Sequence, residues 1–312
     1  MRILITGGAG FIGSNIADAY RADGHEVAVL DSLLTGSLDN VSADTTLFHG
    51  DIADADTVDN CFANFKPEVV SHHAAQLDVR KSLADPVADA GTNIVGSLNV
   101  LLSSMRHHVD RFIFASSGGA VYGEPQRLPV DENHPIHPAS PYGVTKYAFE
   151  HYLRIWSELH SFVPVVLRYA NVYGPRQMPH TEGGVVAIFT QRLLHHQTCT
   201  IFGDGSMTRD YVYVGDVVAA NRRALTRGGG ATMNIGTGVQ TTTREVFDTI
   251  REAVRKSSAE PRFRPERPGE VRFTALDNSR AKEILGWTPQ FDFKAGTAET
   301  LRWQQSLIET AA

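Results

Sequence analysis

The sequence predicts a doubly wound parallel α/β sheet with a smaller α/β subdomain towards the C-terminus, and three observations carry that prediction. Short apolar runs alternate with segments of helical periodicity through the first half of the chain. The first run, RILIT at 2–6, stops at the glycine turn GGAGFIG, after which Ile16, Ala17, Ala19 and Tyr20 recur at helical spacing. The second, EVAVL, ends at Asp31, about 20 residues beyond the turn.

Composition bounds the rest. With 312 residues, 42% hydrophobic and 21% charged, the chain can bury a sizeable core in one large or two moderate domains. A formal charge of −6 without any basic block argues against nucleic acid or an anionic membrane as partner. The two cysteines, Cys61 and Cys199, fit no paired motif; neither a disulfide framework nor a zinc site is indicated, and a reduced, cytoplasmic home is expected. Met1 leads directly into the first strand-like run, so no signal peptide is expected, and no apolar run is long enough to span a bilayer.

The opening strand, turn and helix read as a dinucleotide cradle. Gly7, Gly10 and Gly13 permit a tight turn, close backbone approach to a pyrophosphate and close helix–strand packing, and the helix N-terminus favours negative charge. Asp31 is placed to accept hydrogen bonds from both hydroxyls of an adenosine ribose. The following SLLTGSLDN has no Lys or Arg to neutralise a 2′-phosphate, so NAD is expected rather than NADP. The next strand, TLFHG, runs into Asp51 and Ile52 near the adenine, and EVVSHH leads to Ala74 and Ala75, small enough to let the backbone approach the cofactor. His72 and His73, adjacent on a strand, point to opposite faces and cannot chelate one ion, so no metal is expected.

Residues 92–106 read as a helix with the apolar stripe Ile94, Leu98, Leu101 and Leu102, and Asn93 near its start within reach of the sheet edge. DRFIFASSGGAVYG is a buried strand ending in Ser116, Ser117, Gly118 and Gly119, where hydroxyls face the ligand crevice of a doubly wound sheet. SPYGVTK then sets Tyr142 and Lys146 four residues apart, on one helix face at about 5–6 Å. An ammonium beside a phenol favours the phenolate, which lets a tyrosine take a proton from an alcohol near neutral pH. The 141–160 helix carries Phe149, Leu153 and Trp156 on one line and Tyr147, His151 and Ile155 on another. That is more apolar surface than packing on a sheet requires, and the surplus is covered either within the chain or by a partner helix. PVVLRYANVYG closes the cofactor part near Val172. The expected division is a dinucleotide-binding domain at 1–172, with returning segments near 208–236, and a mainly substrate-binding subdomain at 173–312.

Taken together, TGGAGFIG, SSGGAVYGE, SPYGVTK, RYANVYGPRQ, GVVAIF, FGDGSMTRDYVYVGDV, NIGTG and RPGE resemble the extended short-chain dehydrogenase/reductase family, in its UDP-glucose 4-epimerase branch, over nearly the whole chain. The resemblance implies a Rossmann fold, a retained NAD, 4-epimerisation of a UDP-hexose through a 4-keto intermediate, and a homodimer through the 92–106 and 141–160 helices. The family's serine maps to Ser117, with Ser116 as the alternate because two glycines leave the alignment open by one; its tyrosine and lysine map to Tyr142 and Lys146. The implied cofactor contacts are Gly7, Gly10, Phe11, Ile12, Gly13, Asp31, Leu33, Thr35, Gly36, Asp51, Ile52, Ala74, Ala75, Gln76, Asn93, Ser116, Tyr142, Lys146, Tyr169 and Val172. The implied sugar-nucleotide contacts are Val79, Ser117, Gly118, Gly119, Tyr142, Asn171, Val185, Phe202, Arg209, Arg267 and Glu270, with the two arginines on the diphosphate.

Some positions depart from the family pattern. Glu270 stands where Asp is commoner, backbone amides replace an asparagine at Gly184 and Val185, and His73 replaces an apolar residue beside the adenine. Thr274 stands where some relatives carry a bulky tyrosine, which would admit UDP-N-acetylhexosamines. Two rival reactions are a nucleotide-sugar 4,6-dehydration, which needs an acid/base pair where Gly118 and Gly119 stand, and 4-epimerisation of UDP-glucuronate with Arg176 or Arg192 on the carboxylate. The intact Ser, Tyr and Lys set argues against a cofactor-sensing regulator without chemistry.

Overall fold

The computed structural model describes residues 1–179, 184–255, 258–266 and 271–311. Its centre is a seven-stranded, wholly parallel sheet. The strands are β1 (Arg2–Thr6), β2 (Glu26–Asp31), β3 (Thr46–His49), β4 (Val69–His72), β5 (Arg111–Ser117), β6 (Val163–Tyr169) and a last strand, Thr232–Ile235. From one edge the order is Thr232–Ile235, β6, β5, β4, β1, β2, β3, so the winding reverses between β4 and β1. In such a sheet the loops beyond the carboxyl ends part at that reversal and leave a crevice.

Helices cover both faces, which is why the inner strands read as continuous apolar runs rather than alternating ones. On one face lie α1 (Phe11–Ala22) and the helix Val214–Ala224; Tyr20 reaches across to donate to the Asn221 carbonyl at 3.2 Å. On the other lie α2 (Ala55–Phe65), Ser97–Arg106 and the long helix Pro141–Leu159. Phe149 of the long helix is fully buried, with ring centroids 4.9 Å from Phe114 and 6.1 Å from Phe112.

The 92–106 segment is helical, but not with the stripe expected. A π turn, Gly91–Gly96, precedes the α-helix Ser97–Arg106, and a wider turn rotates every later side chain relative to a regular 3.6-residue helix. The buried residues are therefore Asn93, Gly96, Ser97, Val100, Leu101, Ser103 and Ser104, whereas Ile94 and Leu98 are half-buried and Leu102 is exposed. Gly96 lets this face approach closely, since a Cβ there would meet the Ile52 side chain at 2.8 Å.

After Tyr169 the chain leaves the sheet. Asn171–Tyr173 pairs in parallel with Tyr211–Tyr213 instead, and a third apolar cluster gathers Val186, Phe189, Ile201, Tyr211, Val246, Phe247 and Ile250 from the later elements. This smaller α/β part is tied to the sheet by Asp210. Its carboxylate accepts from the amides of Thr237, Gly238 and Leu276 and from the Thr237 hydroxyl, all between 2.7 and 3.1 Å. Burial pushes the pKa of Asp210 up, and those hydrogen bonds oppose the shift.

Candidate active site

A cavity of about 1150 Å³ opens along the carboxyl ends of the strands, centred on the β1–β4 reversal. At one end is the glycine turn. Gly7 has φ +70, and a Cβ on it would meet the Ala74 amide nitrogen at 2.6 Å, while a Cβ on Gly13 would collide with the Gly7 carbonyl. The turn thus closes on itself and on the end of β4 because these side chains are missing. No side chain caps α1, so its N-terminus faces the cavity with backbone alone. Asp31 ends β2, and its two carboxylate oxygens accept from the amides of Ala9, at 2.9 Å, and Leu33, at 2.8 Å. That fixes the carboxylate at the cavity wall with lone pairs remaining for ribose hydroxyls. Cradle, helix end and oriented carboxylate fit a dinucleotide.

Tyr142 and Lys146 occupy the first turns of the long helix. Ser140 caps it, accepting from the Gly143 amide at 3.2 Å, and Pro141 begins it. Lys146 donates through Nζ to the Ala115 carbonyl at 2.9 Å and lies 5.9 Å from the centroid of the Tyr142 ring. Ser117 shares the cavity wall with Tyr142 and favours its ionised form. Ser116, one residue earlier on β5, points away and donates to Glu150 at 2.5 Å. Strand alternation thus separates the two serines that the alignment left open.

The expected lowering of the phenol pKa is not found in the chain itself. Burial dominates and pushes Tyr142 up to about 12, Ser117 works against it, and the charge of Asp89 adds to it. Lys146 is brought down to about 8, again by burial first, with Asp89 and then Glu150 opposing. Desolvation disfavours the charged form of both groups, and it outweighs the attraction that sequence spacing suggested.

Most residues singled out in the sequence meet at this cavity. Phe11, Ile12, Thr35, Asp51, Ile52, Ala75 and Gln76 line it with the glycines, Asp31, Ala74, Tyr169 and Val172. Val79, Ser117, Gly119, Tyr142, Asn171, Val185, Phe202 and Arg209 line its other reaches. Four do not line it. Leu33, at φ 58, only donates its amide to Asp31, and Gly36 packs on Ala9. Gly118 turns inward, where a side chain would strike Leu276. Asn93 is 3% exposed and lies behind the wall, its amide bracketing the backbone of Gln76 at 2.9 Å on both sides. Arg267 and Glu270 fall outside the described residues.

Other residues that the sequence singled out have partners of their own, and of these His73 lines the cavity. His73 is held by Tyr169 at the end of β6, with Nε2 and the phenol oxygen 3.2 Å apart and the rings stacked, and burial lowers its pKa to about 4. Thr274 does not line the cavity, and its hydroxyl accepts from the Asp210 amide at 3.3 Å. Arg176 pairs with Asp18 at 2.6 Å and Arg192 donates to the Thr198 carbonyl at 2.8 Å; neither lines the cavity.

Residues 3–236 match the NAD dependent epimerase/dehydratase family. The chain belongs to that family. It is 47% identical over 309 residues to the UDP-glucose 4-epimerase of Mycolicibacterium smegmatis, covering 97% of this chain and 98% of the relative. Among solved structures it is similar to the UDP-glucose 4-epimerase of Thermotoga maritima with UDP-glucose, at TM-score 0.97 and 44% identity over 99% of this chain and 100% of that one. It is likewise similar to the Thermus thermophilus UDP-glucose 4-epimerase in complex with NAD, at TM-score 0.93 and 43% identity over 98% and 99% of the two chains.

Sequence reasoning missed three charged residues that surround this site. Arg168 and Glu150 form a buried ion pair, with two bonds of 2.5 and 2.9 Å, and Arg168 also donates to the Tyr122 phenol oxygen at 2.8 Å. A signal existed: Glu150 lies four residues after Lys146, and Arg168 interrupts the apolar run of β6, where a charge must be paired. Asp89, in DPVADA, gave none, because an acidic residue after a proline reads as a surface turn. Removing the space at the turn tests the cradle: Gly13→Ala should weaken NAD binding at least about tenfold, seen as loss of the dinucleotide from purified protein, and full retention would show the turn is not where it binds.

Proposed function

We propose that this chain is an NAD-dependent 4-epimerase of UDP-hexoses, UDP-glucose and UDP-galactose first. The observation that carries the reading is the Ser117–Tyr142–Lys146 set at the same cavity as a dinucleotide cradle. An alcohol carbon has no acidic hydrogen, so inversion at carbon 4 requires oxidation to a ketone and reduction from the other side. Bound NAD supplies the oxidant that accepts and returns that hydrogen, and a positive ring charge that favours a nearby phenolate.

The chain's residues do the rest. Tyr142 takes the proton of the 4-hydroxyl as the carbon–hydrogen bond breaks, and returns it when the ketone is reduced. Ser117 hydrogen-bonds the same oxygen and orients it. Lys146, anchored at the Ala115 carbonyl, holds positive charge beside the developing phenolate. Phe202, Arg209, Asn171 and the uncapped N-terminus of Val185–Leu194 line the part of the cavity we assign to the uridine diphosphate; the family resemblance adds Arg267 and Glu270, which lie outside the described residues. Arg209 is pre-set by its NH1, which donates to the carbonyls of Thr208 and Arg272 at 2.9 and 3.3 Å. With the diphosphate fixed, the keto-sugar turns its opposite face to the same oxidant. We take 1–172, with returning segments near 208–236, as the cofactor unit and 173–312 as mainly the sugar-nucleotide unit.

The rival reactions lack residues. Gly118 and Gly119 carry no proton for a dehydration, and Arg176 and Arg192 are committed away from the cavity. A cytoplasmic location, checked by cell fractionation, fits the two free and buried thiols of Cys61 and Cys199.

The chain also forms a homodimer in this reading. Val144, Ile155 and Leu159 of the long helix, Val95 of the π turn and Leu102 of the helix after it are exposed apolar residues on elements that pack together. Ile155→Glu should shift the sedimenting species from dimer to monomer, and an unaltered mass would place the interface elsewhere. Tyr142→Phe should lower UDP-glucose epimerisation by about 10²–10⁴-fold with NAD content unchanged; an unchanged rate removes Tyr142 from the mechanism.

A further inference from the structure

Asp89 is 1% exposed and sits in the short helix Pro86–Ala90. One carboxylate oxygen accepts from Gln76 Nε2 at 2.8 Å and Asn93 Nδ2 at 3.1 Å; the other accepts from Thr145 Oγ1 at 3.1 Å. All three donors are neutral, and no described cation lies within ion-pair distance. A buried carboxylate of this kind is costly unless a positive charge compensates it nearby. Thr145 adjoins Lys146 in the chain, and its hydroxyl is also 2.9 Å from the Tyr142 carbonyl oxygen. Gln76 belongs to the loop lining the cofactor end of the cavity.

The charges around Lys146 can be counted element by element. On its own helix are Tyr142 and Glu150; on β6 is Arg168, which together with Ser116 of β5 occupies the Glu150 carboxylate. On β4 and just beyond it are His72 and His73, both kept neutral at working pH by burial. Arg80 and Lys81 of the helix Val79–Ala84 are exposed. Glu150 shares its carboxylate with Arg168 and Ser116, whereas Asp89 meets neutral donors alone; both acidic groups act on Lys146, Asp89 the more strongly.

We propose that Asp89 is the counter-charge of Lys146 and a positioning residue for the reaction, locking the Tyr142 turn to the cofactor loop through Thr145, Asn93 and Gln76. Asp89 adds negative charge beside both titrating groups. It holds Lys146 protonated to higher pH and opposes ionisation of Tyr142. Its carboxylate therefore sets where on the pH axis a phenolate and an ammonium coexist.

The inference rests on the epimerase reading, and its test includes a measurement that needs no turnover. In Asp89→Asn the pH profile of kcat/KM should move to lower pH by about one unit on both limbs, with the largest loss above pH 8. In Asp89→Glu, which keeps the charge, the profile should stay in place even where the rate falls. Phenolate absorbance of the holoenzyme, read as the difference between each protein and its Tyr142→Phe counterpart, should show Tyr142 ionising at lower pH in Asp89→Asn only. A uniform rate loss with no shift in profile or absorbance would reduce Asp89 to a structural part and overturn the proposal, as would a shift in Asp89→Glu equal to that in Asp89→Asn. If the absorbance shift occurs without epimerisation in any variant or the parent, the charge pairing stands and the assigned reaction fails.

Discussion

The Lys146 ammonium donates to the Ala115 carbonyl at a depth where burial alone works to strip its proton, and its pKa falls to about 8. A charge in that position is kept only by its surroundings. The backbone carbonyl supplies one hydrogen bond, Asp89 and Glu150 supply opposite charge, and the Phe114 ring lies 4.9 Å beneath the nitrogen. Glu150 is in turn held by Arg168, so the layer below the cavity is a set of charges that depend on one another. Deleting either member of the Glu150–Arg168 pair would strand a buried charge, a change that typically costs about 3–5 kcal/mol. Tyr142 and Ser117 stand on this layer, at the ends of the helix and strand that carry it.

The sheet topology places this layer beside the cofactor cradle. Winding reverses between β1 and β4, and the carboxyl ends of β1, β2 and β4 carry the glycine turn, Asp31 and the Ala74 backbone. The next strand outwards, β5, delivers Ser117 with strand alternation aiming it opposite to Ser116. The long helix returns along the same edge. The Tyr142 phenol and the glycine-turn cradle share one crevice because consecutive parallel strands end on the same side of a sheet, and small residues let the backbones meet there.

Much of this was legible in the sequence. Continuous apolar runs and the glycine turn gave the sheet and its first helix, and the Tyr142–Lys146 spacing gave the helix face. Features that depend on packing were not legible. The π turn at Gly91–Gly96 moved the buried face of the following helix, and no residue pattern announces such a turn. Asn93 and Gly118 were expected at the cavity and lie behind it, because a one-residue change of direction is set by neighbours such as Gln76 and Leu276. The phenol pKa was expected to fall on the strength of a nearby ammonium and instead rises, since spacing reports proximity but not depth. Asp89 was invisible for the same reason: its partners lie on three separate segments.

The account stands on a hydrogen that leaves carbon 4 of the sugar and comes back to the same carbon without meeting water. Epimerisation carried out in deuterium oxide measures this directly, by NMR of the product at carbon 4. The account predicts that the inverted centre carries no solvent deuterium after full equilibration, while deuterium at carbon 4 of labelled substrate is retained. Solvent deuterium at that carbon would contradict it.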